Sequence, residues 1–368
     1  MSGAAIPLVD LHAQHAEIAD EVAAGFAKVI EDTAFILGPA VGEFEEAFAR
    51  FCGAPHCIGV ANGTDAIELV IRALGVGEGD EVLIPANTFI ATALGVLRAG
   101  ARPVLVDCDE YHMMDPRLVE DKITARTRAL LPVHLYGQIA DMGSLREIAD
   151  RRGLVLLEDA AQAQGARRHG HPAGSLGAAA AFSFYPGKNL GAYGDAGAVT
   201  TSSDDIAGRL RKLRNWGSDR KYYHPEIGFN SRLDTLQAVV LSAKLKRLEV
   251  WNQARRRVAD SYDRLLAGID GIERPRTLPD NEHIWHLYVV RVLRRDEVLA
   301  KLQAGGIGAG VHYPTPLHLH DALRHLGYRE GDFPAAEKAA AEILSLPMYP
   351  HLAENQRVRV VEALKRAL

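Results

Sequence analysis

A single lysine, Lys188, lies in a loop rich in glycine and aromatic residues, directly after an apolar run that is typical of a strand. The stretch reads AFSFYPGKNLGAYGDAGAV and covers residues 181–199. A lysine held among such neighbours loses solvation, which favours its neutral amine and makes it a nucleophile toward carbonyl groups. The alternative is a surface lysine whose stem packs on apolar atoms while its ammonium group stays in water. Other residues with chemical potential are needed to choose between the two.

A carboxylate also follows an apolar strand-like run. Glu158 and Asp159 come directly after the stretch from Leu154 to Leu157. A buried carboxylate is costly unless it meets a cation or strong hydrogen-bond donors. Asp159 could bind a protonated ring nitrogen, with the amide of Gln162 beside an oxygen on the same ring. It could equally cap a neighbouring helix.

The sequence NGTD joins a strand that ends at Val60 to a helix that starts near Asp65. Gly63 allows a tight turn, and the free amides of a first helical turn favour an anion such as phosphate. The hydroxyl of Ser183, five residues before the lysine, could join the same phosphate site. In the alternative interpretation Thr64 or Asp65 serves only as the N-cap of the helix.

These three features follow one another in the order expected for pyridoxal phosphate. That cofactor needs a phosphate site, an acidic partner for its ring nitrogen and a lysine that forms an imine with its aldehyde. A nicotinamide-dependent oxidoreductase would share the α/β class, but no G-x-G-x-x-G links a first strand to a helix in this sequence. The pattern therefore favours pyridoxal phosphate over a nicotinamide cofactor.

Composition limits the class of protein further. The chain has 368 residues, of which 48% are hydrophobic, enough for one large and one smaller domain with buried cores. Its formal net charge of -5 argues against a nucleic-acid partner. Cys52, Cys57 and Cys108 show no C-x-x-C spacing, so we expect buried reduced thiols rather than disulfides or a zinc site.

The start of the chain does not resemble a targeting segment. MSGAAIPLVDLHAQHAEIADEVAAGF contains four acidic residues and no cationic start followed by an apolar block. No window of the sequence approaches the roughly 20 apolar residues of a membrane span. We therefore expect a cytoplasmic protein without a membrane partner.

Residues 56–201 alternate short apolar runs with longer segments of helical period, which predicts a parallel sheet covered by helices. Ligands of such sheets bind beyond the carboxyl ends of the strands. After Asn230 the apolar spacing predicts one long helix that leaves a large domain, residues 1–245, for a smaller one, residues 246–368. In the smaller domain we predict strands at HLYVVRVL and GAGVHYP, and helices at AAEKAAAEILSL and ENQRVRVVEALKRAL.

The motifs, taken together, resemble the DegT/DnrJ/EryC1/StrS family of sugar aminotransferases. The resemblance runs through LVDLHAQ, ILGPAVGEFEEAFA, ANGTDAI, PANTFIATA, EDAAQAQGA, FSFYPGKNLGAYGDAGAV, GFNSRLDTLQA and VHYPTPLH, and so covers nearly the whole chain. It implies the aspartate-aminotransferase-like (type I) α/β fold, with a large, mostly parallel sheet domain and a smaller C-terminal α+β domain. One departure is Ala196, where many relatives have a glycine before Gly197.

The resemblance assigns cofactor contacts to positions of this sequence. Lys188 would form the internal aldimine, Asp159 would bind the pyridinium nitrogen, Gln162 would contact the ring hydroxyl and Phe89 would stack on the ring. The phosphate would be held at the turn made by Gly63, by the backbone of Thr64 and Asp65, by the hydroxyl of Ser183 and, from the neighbouring subunit of a homodimer, by Asn230.

Substrate contacts follow from the same resemblance. His312 and Tyr313 would approach the sugar from the partner subunit, as would Arg232, and Tyr185 lies near enough to the lysine in sequence to contact the sugar. Packing is the alternative role for each. A metal site formed by His312, His318 and His320 is not expected, because no acidic residue or cysteine clusters with them in the sequence.

The lysine also bears on the reaction. Some relatives that deoxygenate sugars have histidine in its place, so Lys188 favours transamination, with L-glutamate as the amino donor and a nucleotide-linked keto sugar as the acceptor. A noncatalytic pyridoxal-phosphate-binding regulator is the alternative of another class.

A locally basic run, residues 209–223, bears on the acceptor. It could be a helix with a solvated cationic face. Its end, RNWGSDRKYYHPEIGFNSRLD, resembles enzymes that aminate carbon 3 of a nucleotide-linked hexose. A 3-keto hexose linked to dTDP or to UDP is therefore expected, with a 4-keto sugar or a cyclitol as alternatives.

Overall fold

The computed structural model describes residues 4–368, and its largest feature is a seven-stranded central sheet. Two four-stranded ladders, β1-β10-β9-β6 and β3-β2-β4-β5, meet because β5 and β6 form one strand interrupted only at Leu157. All pairings are parallel except those of β10. The strands are β1 (His56–Val60), β2 (Glu81–Pro85), β3 (Arg102–Val106), β4 (Thr127–Leu130), β5 (Val155–Leu156), β6 (Glu158–Asp159), β9 (Ala179–Ser183) and β10 (Gly197–Thr201).

Helices cover both faces of this sheet. The helices of the large domain are α1 (Leu11–Ala16), α2 (Ala19–Glu31), α3 (Pro39–Phe51), α4 (Gly63–Ala73), α5 (Ile90–Arg98), α6 (Met142–Arg152), α7 (Asp204–Leu213) and α8 (Thr235–Leu245). On one face, α3, α6 and α8 enclose an apolar core in which the ring of Phe48 meets Phe182 and Phe184 edge-on. On the other face, α4, α5 and α7 enclose a second core. The predicted mostly parallel α/β sheet is confirmed.

Local sequence explains several of these elements. The five residues of β2, EVLIP, are all buried, as expected for a central parallel strand covered on both faces. Helix α6 begins where the side chain of Asp141 caps the amide of Ser144. It ends at Gly153, whose φ of 65° is a left-handed conformation that glycine adopts without strain.

The C-terminal part forms a smaller antiparallel sheet with its own core. Its strands are β11 (Ile272–Glu273), β13 (Tyr288–Val292) and β14 (Ile343–Leu346), in the order β11-β13-β14. Its helices are α9 (Leu248–Leu266), α10 (Arg295–Ala304), α11 (Pro334–Glu342) and α12 (Glu354–Ala367). A third small sheet joins the two parts of the chain and contains β7 (Arg167–Arg168), β8 (His171–Pro172) and β12 (Asn281–Glu282).

The single long helix predicted after Asn230 is wrong. The structure has two helices there, α8 and α9, separated at Lys246 and Arg247. Helix α8 packs on α2 and α3 of the large domain, whereas α9 packs on α12 of the smaller one. Each helix therefore follows the apolar surface of a different core. The predicted domain boundary between residues 245 and 246 coincides with this break and stays a prediction.

Two other predictions in the C-terminal part need correction. GAGVHYP is not a strand, since only Gly310 pairs with Ser345 in an isolated bridge. The helix predicted over AAEKAAAEILSL ends at Glu342, and Ile343–Leu346 forms β14 instead. Pairing with β13 buries all four residues of this segment, so tertiary contacts override the helical period that precedes it.

Three smaller features complete the comparison with the sequence. Cys52, Cys57 and Cys108 are buried free thiols, as predicted. Of the basic run, only the residues up to Leu213 belong to α7, and the remainder forms an irregular segment in which Tyr222 and Ile227 are strongly exposed. Within residues 4–368, no helix combines the length and apolar character that crossing a membrane requires.

Candidate active site

The candidate residues meet at one edge of the central sheet. Asp159 ends β6 and Ser183 ends β9, and the two strands are parallel neighbours. Helix α4 begins at Gly63, just after β1, and Lys188 lies in the loop after β9. The carboxyl ends of parallel strands share one edge, which is where α/β proteins bind their ligands.

The start of α4 can hold an anion. Asn62 is the N-cap, since its side chain accepts the amide of Asp65 at 2.8 Å and its carbonyl accepts the amide of Ala66. The alternative that Thr64 or Asp65 caps the helix is therefore wrong. The amides of Gly63 and Thr64 have no acceptor in the part of the chain that the structure describes, so they remain for a ligand at the positive end of the helix dipole.

The expectation that the amide of Asp65 holds a phosphate needs correction, because Asn62 already occupies that amide. The Asp65 carboxylate is engaged as well. It accepts hydrogen bonds from Ser231 at 2.7 Å and from Arg98 at 3.1 Å. Ser231 and Arg98 were not found from the sequence, and both lie far from Asp65 along the chain. Asp65 therefore ties the 230–232 segment to the start of α4.

Glycine is required at two positions of this anion site. A Cβ atom at Gly63 would lie 2.6 Å from the Cβ atom of Ser183, and one at Gly197 would lie 2.4 Å from the backbone carbon of Asn62. Such separations do not occur between real side chains and their neighbours. The glycines thus allow β9, β10 and the start of α4 to approach closely enough to share a ligand. Ala196, the residue that departs from the family pattern, is 1% exposed and packs in the core.

Glu158 and Asp159 have different surroundings. The carboxylate of Glu158 accepts three backbone amides, from Gly174, Leu176 and Gly177, and bonds to His134. It therefore anchors the 174–177 turn. Successive residues of a strand point to opposite faces, so the neighbouring carboxylate is directed elsewhere.

Asp159 is buried, with 3% of its surface exposed, and has few partners. Its Oδ2 atom accepts the hydroxyl of Thr92 at 2.8 Å, and its Oδ1 atom accepts the amide of Ala161 at 3.1 Å. Burial raises the pKa of Asp159, and these hydrogen bonds and the charge of Lys188 oppose that effect. Within residues 4–368, Asp159 accepts no amide from the first turn of a helix, and it contacts α5 only through the hydroxyl of Thr92, so the alternative of a helix cap is wrong. The carboxylate retains acceptor capacity for a cation.

Lys188 is half-buried, and its Nζ atom has no hydrogen-bond partner among residues 4–368. Loss of solvation lowers the pKa of Lys188 to about 8, although Asp159 acts in the opposite direction. Its backbone amide donates to the carbonyl of Tyr185 at 2.8 Å, which fixes the turn that carries it. These properties fit a nucleophilic amine rather than a surface lysine with its ammonium group in water.

A buried network of side-chain amides holds the Lys188 loop. Asn189 donates to the Oδ1 atom of Asn252 at 2.9 Å and to the carbonyl of Ile284 at 3.1 Å. Asn252 donates to the carbonyl of Gln164, and Gln164 donates to the carbonyl of Ser183 at 2.7 Å. The network links the lysine loop, the Asp159 loop and α9. Sequence reasoning missed it, because Asn252 lies on a helix far from both motifs.

Gln162, Phe89 and Tyr313 form one wall of the site. Gln162 accepts the amide of Tyr136 at 2.7 Å and donates to the hydroxyl of Tyr313 at 3.0 Å. Phe89 is 49% exposed, and its ring centroid lies 5.0 Å from that of Tyr313. Burial and the charge of Asp159 raise the pKa of Tyr313, so its phenol is protonated at neutral pH.

The prediction that His312 and Tyr313 serve the partner subunit's site is wrong. Both residues belong to the site of their own chain, since Tyr313 contacts Phe89 and Gln162 of that chain. The ring of His312 bonds to Ser345 at 2.8 Å, and its carbonyl accepts the hydroxyl of Tyr136 at 2.6 Å. Loss of solvation lowers the pKa of His312 to about 4, so it is neutral at pH 7.

Of the other predicted substrate and partner contacts, Tyr185 and Asn230 lie at the surface, whereas Arg232 is partly buried. Tyr185 is 60% exposed, and Asn230 is exposed and pairs through its backbone with Asn215. Arg232 donates to the Oδ1 atom of Asn215 at 3.1 Å, and its guanidinium lies 4.1 Å from the centre of the Trp216 ring. These contacts leave Tyr185 and Asn230 available to a ligand or a second subunit.

The histidines near the VHYPTPLH segment do not converge. His318 pairs with Glu337 at 2.8 Å, whereas His312 bonds to Ser345. Across residues 4–368, no three histidine, cysteine or acidic side chains are grouped so that they could hold a metal ion.

Comparison with known proteins places this geometry among aminotransferases. A model of the DegT/DnrJ/EryC1/StrS aminotransferase family matches residues 16–365. The dTDP-3-amino-3,4,6-trideoxy-alpha-D-glucose transaminase of Streptomyces venezuelae is 50% identical over 361 residues, which cover 98% of this chain and 95% of that protein. The erythromycin biosynthesis sensory transduction protein EryC1 of Saccharopolyspora erythraea is 48% identical over 361 residues, with 98% of this chain and 99% of that protein covered.

A solved structure agrees with these relatives. The crystal structure of DesV from S. venezuelae, in complex with a ketimine intermediate, superimposes with a TM-score of 0.97. The two sequences are 49% identical, and the match covers 99% of this chain and 98% of that one. The shared fold thus extends over both the central sheet and the smaller C-terminal sheet.

Replacement of Gly63 by alanine tests the close approach at the anion site. Gly63→Ala is expected to weaken binding of pyridoxal phosphate and to lower the free energy of unfolding by about 1–3 kcal/mol, because the new methyl group overlaps Ser183. Absorbance titration and urea unfolding measure the two effects. Gly42→Ala is the control, since its Cβ meets no atom within 4 Å and helix propensity predicts a gain of up to about 1 kcal/mol. Unchanged cofactor affinity in Gly63→Ala would contradict the assignment.

The pKa of Lys188 predicts how the cofactor-free protein captures pyridoxal phosphate. Only the neutral amine reacts, so the capture rate is expected to rise about tenfold per pH unit below pH 8 and to level off above it. Stopped-flow absorbance between pH 6 and pH 10 measures this rate, and Lys188→Met is the blank. A rate that still rises about tenfold between pH 8 and pH 9 would show that the lysine has its ordinary pKa.

Proposed function

The chain belongs to the DegT/DnrJ/EryC1/StrS aminotransferase family, and we propose that it transfers an amino group from L-glutamate to carbon 3 of a nucleotide-linked keto hexose. The family depends on pyridoxal phosphate, and the relatives of this chain include a transaminase for a dTDP-linked 3-amino sugar, which is 50% identical to it. The observation that carries the proposal is the amine of Lys188, which has no hydrogen-bond partner among residues 4–368 and lies near the buried carboxylate of Asp159.

The residues present fit pyridoxal phosphate. The free amides of Gly63 and Thr64 and the hydroxyl of Ser183 would hold its phosphate, where the glycine leaves space that a Cβ atom would fill. Asp159 would bind the ring nitrogen, and Phe89 would cover the ring. Gln162 gives one amide proton to Tyr313 and keeps the other for the ring hydroxyl. When bound, the cofactor supplies a cationic ring that withdraws electrons from the carbon next to the transferred nitrogen.

Lys188 is the group that moves protons. With its pKa near 8, the amine exists in both protonation states close to neutral pH, which suits a general base that must later act as an acid. In the first half of the reaction it would take the proton from the α-carbon of the amino donor. In the second half it would return a proton to the sugar carbon. Asp159 would hold the positive charge on the ring nitrogen.

The wall formed by His312 and Tyr313 would orient the sugar. The neutral imidazole of His312 and the protonated phenol of Tyr313 can each donate or accept hydrogen bonds, as recognition of a polar sugar requires. Tyr185, which is exposed in the turn before Lys188, completes this set. These roles support the proposed acceptor.

A homodimer with shared sites is part of the proposal. Phe35, Ile36 and Leu37 are each at least 38% exposed, and Ile36 bridges to Asp234 beside the 230–232 segment. An apolar surface of this kind is typical of a protein interface. A second copy that covers it would bring Asn230 toward the partner's phosphate site, and twofold symmetry would create two equivalent sites. The cytoplasmic location predicted from the sequence stays a prediction.

The first test examines the amino donor and the sugar acceptor in two separate steps. L-glutamate added to the purified protein with bound pyridoxal phosphate is expected to convert its visible absorbance to that of the aminated cofactor. A panel of 3-keto and 4-keto hexoses linked to dTDP or UDP, together with keto cyclitols, is then scored by product mass and by carbon position. Amination at carbon 3 of a nucleotide sugar supports the proposal. A protein that binds the cofactor but shows no spectral change with amino donors would instead be a noncatalytic regulator.

The second test addresses the shared site. Lys188→Ala removes the amine from the site of its own chain, and Asn230→Asp places a negative charge near the phosphate of the partner's site, so in a heterodimer of the two variants both defects fall in one site. In a purified heterodimer of the two variants one of the two sites keeps both native residues, so about half of the wild-type activity is expected. Each variant alone is expected to be strongly impaired. If Asn230 serves the site of its own chain, both sites of the heterodimer carry a defect and the activity will not return.

A further inference from the structure

Two buried threonines lie on either side of the exposed Phe89 and form a chain of hydroxyl groups. Thr88 is 2% exposed and Thr92 is 1% exposed. Their Oγ1 atoms are 2.9 Å apart, and Thr92 lies in the first turn of α5. The hydroxyl of Thr92 also donates to the Oδ2 atom of Asp159 at 2.8 Å, across 67 residues of sequence. The chain of hydroxyl groups thus ends on the carboxylate of the active site.

The chemistry of these groups determines which atom donates in each hydrogen bond between the hydroxyl groups and the carboxylate. An ionised carboxylate can only accept hydrogen bonds, and a threonine hydroxyl has a single proton. Thr92 uses that proton on Asp159, so the hydrogen bond between the two threonines must be donated by Thr88. With Asp159 ionised, both hydrogen bonds are donated in the direction of its Oδ2 atom. The observed contacts therefore match an ionised Asp159, toward which two hydroxyl dipoles point in sequence.

The carboxylate is held from two elements at once. Thr92 on α5 binds its Oδ2 atom, and the amide of Ala161 binds its Oδ1 atom at 3.1 Å. Two donors on different oxygens restrict rotation of the carboxylate plane. Thr92 provides the only side-chain hydrogen bond to Asp159 in the part of the chain that the structure describes.

Other ionisable groups near Asp159 do not take over this role. His134 is paired with Glu158 at 3.0 Å, and Tyr313 donates no hydrogen bond to Asp159. Lys188 acts on Asp159 through its charge and makes no hydrogen bond to it. Stabilisation of the buried anion by direct contact thus depends on Thr92 and on one backbone amide.

We propose that Thr92, supported by Thr88, is a positioning residue that keeps Asp159 ionised and oriented toward the ring nitrogen of the cofactor. The inference rests on the proposed binding of pyridoxal phosphate at this site. It gives the threonines of the PANTFIAT sequence a role distinct from that of Phe89, which lies between them. Thr88 acts indirectly, because its hydroxyl orients that of Thr92 and does not contact the carboxylate.

The experiment compares four variants of the full-length protein. Thr92→Val removes the donor and keeps the shape of the side chain, whereas Thr92→Ser keeps the donor. Thr88→Val removes the support. Thr200→Val is the matched control, since Thr200 is 0% exposed and its hydroxyl donates to the carbonyl of Gly174, on the Glu158 turn and not at Asp159. The readouts are the dissociation constant of pyridoxal phosphate, the pH midpoint of its visible absorbance and the single-turnover rate with L-glutamate.

Thr92→Val is expected to weaken cofactor binding and to slow the single turnover by about 10- to 100-fold, the range typical of a hydrogen bond to a charged group. The pH midpoint is expected to move upward, because a ring that is protonated less often withdraws less electron density. Thr92→Ser should restore wild-type values to within about threefold, and Thr88→Val should show a smaller change in the same direction. Thr200→Val should lower the melting temperature without moving the midpoint.

Contrary outcomes are equally definite. A Thr92→Val protein with wild-type cofactor affinity, pH midpoint and single-turnover rate would overturn the inference. So would a midpoint that moves as far in Thr200→Val as in Thr92→Val, since the effect would then reflect the loss of any buried hydroxyl. Failure of the proposed function would give a different result. The wild-type protein would not respond to amino donors, but Thr92→Val would still change the cofactor affinity and the pH midpoint.

Discussion

The site depends on the removal of two ionisable groups from water. Asp159 is 3% exposed and is held by two donors, and the amine of Lys188 has no hydrogen-bond partner among residues 4–368. Loss of solvation raises the pKa of Asp159 and lowers that of Lys188, so the charged form of each group becomes less favourable. In a cofactor with a cationic ring nitrogen and an aldehyde, the nitrogen would pair with the carboxylate of Asp159 and the aldehyde would react with the amine of Lys188.

The surrounding structure holds Asp159 at the end of one strand and Lys188 in the loop that follows the neighbouring strand. Parallel pairing of β6 with β9 places Asp159 and Ser183 at one edge of the sheet. The amide network that includes Asn189 and Asn252 connects the lysine loop to α9, so the position of the amine depends on both parts of the chain. Because a buried polar group without a partner is costly, this network specifies one arrangement of the two loops.

Much of the site could be predicted from short segments. Ser183 ends a strand, and Lys188 and Gly63 each follow one within a few residues, so local sequence is enough to place them at the edge of a parallel sheet. The mostly parallel α/β sheet could be predicted for the same reason, since its strands and helices have clear periods. The prediction of a single helix after Asn230 was wrong. A helical spacing of apolar residues indicates that one face of a helix is buried, but it does not indicate which core buries that face. Likewise, the strand β14 arises only through pairing with β13.

The sequence by itself determined which chemistry is available: an amine, a carboxylate and a phosphate loop, with glycine where two backbones must approach. Only the tertiary structure decided how these groups are supported. It assigned the N-cap of α4 to Asn62, placed Tyr313 in the site of its own chain and brought Thr92 to Asp159. The physical reason is that hydrogen-bond partners in a buried site come from elements distant in sequence. Their pairing depends on how strands and helices pack, which no local pattern records.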